Sequence, residues 1–482
     1  MDSNQVRLTD KQQKCVNFKP EGSLLIRGIP GSGKSTIILA RAQYLMENFP
    51  SESVLILTYN RTLCNYVKQL SSKIGETPVD ALTFHFWAQS LIKETDYPHT
   101  KLILGDQRLQ AVRFAKNIIK KNNQSAEFPN MIGNNEQREL ESFLADEIEW
   151  IKGNNIKTKE EYMETPRAGR GNKIRVTKKH RETIYSVLEK YNELLRSHYK
   201  YQGVDGEDLA NILIEKMNLI PKNKRPDHIL VDEAQDLHTV QLRAIKESAM
   251  KSLTIGADKG QQIYRRTFTW KQAGIDVVGN RSRFLDETFR STRQIVRLAN
   301  QFQQKDELFT TDEEYLKAVE PNIDGAVPKV RFCNSKSEEQ NDILRHVKNV
   351  RSSFNADTIG IIVRTKDQIE ELDRLLSSEG IPSFKIRDDD ADIISPGVKL
   401  ITYHSSKGLE FDHVIVTGLK EGEIPYKKSD PGEDELEFLS RERKKFYVAM
   451  TRAKKTLYIT ARKPFSQFVL ELDEGLYEED SE

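Results

Sequence analysis

Only three cysteines occur in 482 residues, Cys15, Cys64 and Cys333, and they stand far apart. Isolated cysteines make neither a disulfide framework nor a zinc pattern, and their scarcity fits a reducing, cytoplasmic compartment. Long apolar runs are also missing. None approaches the ~18 residues of a membrane span, and the opening stretch MDSNQVRLTDKQQK has no apolar signal-peptide core. Net charge is nearly absent: 74 Lys and Arg against 73 Asp and Glu leave +1. That excludes a globally basic coat, so any surface for nucleic acid has to be a local groove compensated elsewhere. What is present is a chain with room for roughly three domains, 37% apolar and 30% charged, a soluble globular composition.

Four short apolar runs, Leu24 to Ile26, Val54 to Leu57, Ile229 to Val231 and Leu253 to Ile255, read as buried parallel strands separated by helical patterns. From about 95 to 205 the texture turns helical, with Leu140, Phe143, Leu144, Ile148 and Ile151 at helical spacing. Near its end, Arg167 to Arg181 carries seven basic residues and no acid, which reads either as a nucleic-acid groove or as a solvated loop. A second alternating segment begins near 290, with strands at 359–363, 384–386, 399–402, 414–417 and 456–459. The tail ELDEGLYEEDSE has seven acids in twelve residues, a composition expected to be solvated and disordered. The fold class expected is α/β, two parallel-sheet domains with a mainly helical insertion in the first. Their bounds are 1–94 with 205–288, 95–204 for the insertion, 289–470, and 471–482 for the tail.

Residues 28–36, GIPGSGKST, follow an apolar strand and match G-x-x-x-x-G-K-[ST]. Gly28, Ile29, Pro30, Gly31, Ser32 and Gly33 form a loop whose backbone N–H groups face phosphates. Lys34 brings an ammonium to the β- and γ-phosphates, Ser35 a hydroxyl for Mg²⁺, and the helix from Thr36 its positive end. ILVDEAQD at 229–236 supplies the partner carboxylates: Asp232 for Mg²⁺, mostly through water, and Glu233 to accept a proton from the attacking water. ATP and Mg²⁺ are the cofactors expected.

The stretch DEAQD, beyond a bare Asp-Glu, resembles a superfamily 1 helicase of the UvrD/Rep/PcrA type, and further motifs stand in that family's order. LTDKQQKCV at 8–16 is similar to the Q motif, which implies Gln12 at the adenine edge. TYNRT at 58–62 and TFHFW at 83–87 resemble motifs Ia and Ib, implying strand contacts by Thr58, Asn60, Thr83 and His85. GADKGQQIYRRTFTW at 256–270 resembles motif III, implying Gln261 as a γ-phosphate sensor. The usual Gly-Trp-Arg-Gly continuation is replaced by Arg265, Arg266 and Thr267, so Phe268 and Trp270 read either as stacking platforms or as core. LDETFRST at 285–292 and RERKKFYVAMTRAKKTL at 441–457 resemble motifs IV and VI and imply arginine fingers at Arg290 and Arg452. VKLITYHSSKGLEF at 398–411 resembles motif V, implying Thr402 and His404 on the strand and Glu410 by the ribose.

The resemblance implies two RecA-like domains, ATP hydrolysis between them, and 3′→5′ movement along single-stranded DNA, with RNA not excluded. It also implies an insertion of the 1B kind. The 2B domain that family members insert before motif V has no room here, because only RDDDADIISPG separates Ile386 from Val398. Translocation is therefore the firmer expectation than processive unwinding. Roles in DNA repair or in anti-phage defence, where compact relatives stand beside nucleases in systems such as Gabija, both fit. So does a second class, a nucleic-acid-gated ATPase subunit that regulates a partner nuclease. Nothing in the sequence points to a membrane partner.

Overall fold

Short runs such as HILV and TIGIIV have no polar alternation, so a strand made from them must be covered on both faces. A computed structural model of the chain describes residues 8–74, 78–97, 101–131, 136–167, 174–258, 270–310, 319–387, 391–426 and 435–481. In it β1 (Gly22–Gly28), β2 (Val54–Thr58), β3 (Asp80–Thr83), β4 (His228–Val231), β5 (Ser252–Ala257) and β6 (Ser282–Leu285) form one parallel sheet, in the order β3-β2-β4-β5-β1-β6. Every residue of β4 and β5 is buried. Helices α1 (Asp10–Val16), α2 (Lys34–Asn48), α3 (Arg61–Ile74), α4 (Phe84–Ile92), α9 (Gly206–Glu215) and α10 (Thr239–Ser248) accompany this sheet.

Between α4 and α9 the chain makes α5 (Gly105–Asn122), α6 (Glu136–Gly153), α7 (Lys159–Glu164) and α8 (Lys178–Ser197). They close over a core of their own that includes Val112, Phe143, Leu144, Ile148, Tyr162, Ile184 and Tyr191. Residues 168–173 of the basic run 167–181 lie outside the described residues, but its two end arginines are packed against the helices. Arg167 forks onto the buried carboxylate of Glu147 through two 2.7 Å bonds, and Tyr162 Oη donates to the same carboxylate at 2.8 Å. Arg181 caps the carbonyls of Met163 and Thr165 at 3.2 and 2.9 Å. Glu147→Ala leaves the largely buried Arg167 without its partner and is expected to destabilise the protein by about 3–5 kcal/mol. Urea denaturation checks this, and an unchanged midpoint would mean that the pair contributes nothing.

The second sheet, also parallel, has the order β13-β7-β12-β11-β8-β10-β9. Its strands are β7 (Lys329–Cys333), β8 (Thr358–Val363), β9 (Ser383–Lys385), β10 (Gly397–Thr402), β11 (Phe411–Leu419), β12 (Ala453–Arg462) and β13 (Glu478–Glu479). Around it lie α11 (Arg293–Gln303), α12 (Glu307–Thr310), α13 (Lys336–Ser353), α14 (Lys366–Ser378), α15 (Glu435–Met450) and α16 (Gln467–Leu470). No helix among the described residues is long and apolar enough to cross a membrane.

The acidic tail departs from the disorder its composition suggests. β13 pairs with β7, Asp480 accepts from Tyr458 Oη at 2.7 Å and from Arg345 at 3.0 Å, and its carbonyl takes Arg331 at 2.7 Å. Three partners in or beside the sheet, of which Tyr458 is buried, offset the like-charge repulsion of the tail. The link between β9 and β10 crosses to the first domain. Gln69 on α3 holds it with both ends of its amide, donating to Ala391 O at 2.8 Å and accepting from Ile393 N at 3.0 Å. Ile393 sinks into an apolar core that joins Ile38, Leu63 and Val67 of the first domain to Leu409, Phe446 and Ile459 of the second.

Candidate nucleotide and nucleic-acid sites

β1 ends at Gly28, and the turn to α2 needs left-handed backbone at Gly31 (φ +75°) and Gly33 (φ +83°), which glycine adopts without steric cost. Around this loop Lys34 Nζ donates to Gly28 O (2.8 Å) and Ile29 O (2.9 Å) and pairs with Asp258 (3.1 Å). Its ammonium thus lies folded over the loop's own carbonyls. Gln12 Nε2 donates to Ser32 O at 3.1 Å, which sets that amide against the loop. Ile29 packs on Val296, and Thr36 lies half-buried in the first turn of α2. Ser32 is fully buried, and its hydroxyl has no hydrogen-bond partner among the described residues.

Ser35 Oγ donates to Asp232 Oδ2 at 2.6 Å, bringing the P-loop hydroxyl to the end of β4. Burial, with Glu233 alongside, pushes the Asp232 carboxyl up to about 6. A hydroxyl and an under-compensated carboxylate converging beside an orphaned Ser32 hydroxyl are a donor set that fits Mg²⁺ with a phosphate. Glu233 takes a left-handed φ of +54°, uncommon for a residue with a Cβ. Burial acts to raise its pKa, but Lys407, Lys34 and Arg452 together outweigh burial and hold it below the usual carboxylate range. Gln235 donates to Glu233 through its side-chain amide and accepts from Asp258 N at 2.9 Å.

Lys407 was not singled out in the sequence, although it sits inside SSKGLEF. From the second domain it reaches across to Asp236 at 2.7 Å and Glu233 at 3.6 Å, with all three side chains nearly closed to solvent. Lys407→Ala leaves two buried carboxylates without their cation and is expected to destabilise the nucleotide-free protein by about 3–5 kcal/mol, with Arg recovering part of it. The thermal unfolding midpoint reports this, and no shift would show that the cluster is not formed in solution.

Arg290 stands differently from its expected place wholly on the second domain. Its backbone is tied to the P-loop, since Phe289 N donates to Gly31 O at 2.8 Å, while its guanidinium points outward to the second domain. There Nε meets Glu410 at 2.7 Å and a terminal nitrogen meets Thr451 O at 3.4 Å. Glu410 also takes Lys454 at 2.7 Å. Burial opposes its ionisation, but Arg290 and Lys454 prevail and bring its pKa down to about 2. Glu410, expected by the ribose, is thus paired with two cations at the seam. Arg452 is buried at the same seam, donating to Val448 O (2.8 Å) and Leu409 O (3.0 Å). Burial and the like charge of Arg290 push its pKa down to about 9.

A cavity of about 1320 Å³ opens between the first sheet's α3 and α4 and the helical insertion. Asn60, Thr83 and His85 line it together with Tyr59, Arg61, Lys68, Phe86 and Arg138, and Tyr426 closes it from the second domain. Thr58 lies beneath, buried, with its hydroxyl on Asn60 O at 3.1 Å. Besides Thr58, three expected strand contacts, Trp270, Thr402 and His404, do not line this cavity. Trp270 is half-buried against the core of the first sheet, as its apolar ring would be. Thr402 spends its hydroxyl on Ser405 at 3.1 Å, and His404 lies exposed on the turn after β10. Gln261 and Phe268 lie outside the described residues. Arg61, Lys68 and Phe86 were missed because a side chain's presence in a cavity depends on packing across several elements.

Comparison with known proteins matches residues 8–283 to the UvrD/REP helicase N-terminal domain, and residues 284–393 and 385–464 to the UvrD-like helicase C-terminal domain. A probable DNA helicase II homolog of Mycoplasma capricolum is 24% identical over 412 residues, covering 79% of this chain and 52% of that protein. A probable DNA helicase of Mycoplasma pneumoniae is 22% identical over 492 residues, covering 94% and 83%. The ATP-dependent DNA helicase PcrA of Bacillus subtilis is 24% identical over 411 residues, covering 80% and 51%. The chain thus spans about half the length of the Mycoplasma capricolum and Bacillus subtilis relatives.

Proposed function

The chain belongs to the UvrD/REP helicase family, and from that membership we propose that it hydrolyses ATP and uses the cycle to move 3′→5′ along single-stranded DNA. One observation carries the reading. Phosphate-loop and carboxylate groups of the first domain, with Arg290 tied to that loop, meet Lys407, Arg452 and Glu410 of the second at a single seam.

In this reading phosphates displace the Lys34 ammonium from the loop carbonyls, where it already lies. Ser35 and Asp232 would hold Mg²⁺, which would neutralise phosphate charge. Glu233, kept ionised by Lys407 and Lys34, takes the proton from water. Arg290 donates to the Thr451 carbonyl and Arg452 to the Thr451 hydroxyl, so a small closure of the seam would bring both guanidiniums onto the same phosphate. Single-stranded DNA would occupy the cavity beside Asn60, Thr83 and His85, which Tyr426 of the other domain also touches. A strand touched by both domains is moved when they open and close.

The test is ATP turnover with and without single-stranded DNA or RNA, followed by displacement of streptavidin from biotinylated ends. Turnover should rise steeply with single strands, and streptavidin should leave the 5′ end faster than the 3′ end. Turnover indifferent to nucleic acid would remove the motor, and clearance of the 3′ end would reverse the polarity.

A further inference from the structure

The helical insertion ends in an aromatic turn that the nucleotide and cavity residues do not use. After α8 the chain reads His198-Tyr199-Lys200-Tyr201. The His198 ring stacks on Tyr199 at 4.8 Å and on Tyr201 at 5.0 Å, with interplanar angles of 26° and 25°. Phe114 of α5 supports the group from the side, 5.2 Å from His198 and 5.7 Å from Tyr201. The turn is stiff: Tyr201 N and Gln202 N both donate to His198 O, at 3.0 and 2.8 Å, and Lys200 N donates to the His198 ring at 3.2 Å. Yet the outermost ring, Tyr199, is 91% exposed. A single exposed aromatic needs no explanation. One held against a built stack of rings, with its own surface left to water, does.

Charge and position narrow the ligand. Residues 194–204 contain Arg196 and Lys200 and no acid, and Lys200 Nζ lies 5.5 Å from the Tyr201 ring centre. The turn also joins the cavity wall. Val204 N donates to Lys101 O at 2.9 Å, Ile103 N donates to Val204 O at 2.8 Å, and Leu102, paired with Val204, lines the cavity together with Leu104. The turn is thus joined through Val204 to the Leu102–Leu104 edge of the cavity. Rings that accept any base face, beside cations that meet the backbone, are the chemistry of sequence-tolerant single-strand binding.

We propose that the turn 198–201 is a second single-strand contact on the helical insertion, with Tyr199 stacking on a nucleobase outside the cavity and Lys200 and Arg196 meeting phosphates. The inference rests on the reading of the cavity as the single-strand site, and its test separates the two. Fluorescence anisotropy would follow binding of a short oligothymidine that fills only the cavity and of a longer one that reaches the turn.

Tyr199→Ala should weaken the long oligomer about tenfold, the loss of one base stack, and leave the short one unchanged. Tyr199→Trp should restore it, and Lys200→Ala should flatten its salt dependence. Tyr199 is almost wholly in solvent, so the core is not disturbed. Equal affinity of wild type and Tyr199→Ala for the long oligomer would overturn the proposal while leaving the cavity reading in place. An equal loss for both oligomers would also overturn it, since the turn lies beyond the short one. A wild type that binds neither would sink the cavity reading and this one with it.

Discussion

Glu233→Gln is expected to bind ATP about as tightly as the wild type and to hydrolyse it roughly 10²–10⁴-fold more slowly. The two side chains have the same shape, and only the charge and the basic oxygen are lost. Removing a negative charge beside the phosphate loop does not weaken the capture of an anion. What disappears is the acceptor for the water's proton. The surroundings suit Glu233 to that proposed work: a left-handed φ of +54°, a bond from Gln235, and three cations that keep the carboxylate ionised against burial. Such a conformation costs of order 1–3 kcal/mol and persists where neighbours over-determine it. Phosphate release gives the turnover and a fluorescent ATP analogue gives the affinity. If affinity falls with turnover, Glu233 serves to anchor Lys407 and another group accepts the proton.

The separation of what sequence could and could not show follows interaction range. β1, β2, β4 and β5 are visible as apolar runs because both faces of a parallel sheet are covered. The edge strands β3 and β6, DALT and SRFL, lack such a run, since an edge is only partly covered. β13 is hidden by its acids and becomes a strand only because Arg331, Arg345 and Tyr458 receive Asp480. The phosphate loop is legible because loop geometry and chemistry are local. Lys407 is not, since its partners Asp236 and Glu233 lie on another domain, 171 positions away for Asp236. The cavity is the least legible part. Asn60, Thr83 and His85 line it, but so do residues from five or more elements, and Trp270 fills core instead.

Arg452→Ala and Arg290→Ala are each expected to lower the single-strand-stimulated kcat by about 10³-fold or more, with a much smaller effect on ATP affinity. Burial and the like charge of Arg290 hold Arg452 at a pKa of about 9. Glu410 compensates Arg290, and backbone carbonyls compensate Arg452. The like-charge repulsion between Arg290 and Arg452 favours an anion between them. A phosphoryl group entering the seam relieves it, most of all when charge builds on the transferred oxygens, so the contact is worth more in the transition state than in the bound ground state. Lys at either position should rescue poorly, because a point charge reproduces neither the fork that Arg290 shares between Glu410 and Thr451 nor the two carbonyl bonds of Arg452. The two variants should also differ. Arg290 is tied to the phosphate loop through Phe289 and keeps its place when the domains separate, whereas Arg452 travels with the second domain. Loss of Arg452 should therefore abolish stimulation by nucleic acid, while Arg290→Ala should lower basal and stimulated rates alike. Steady-state ATPase titrated with single-stranded DNA, with strand binding followed separately by anisotropy, measures both. Full stimulation in Arg452→Ala would mean that hydrolysis is completed within the first domain, and closure of the seam would then have no part in the chemistry.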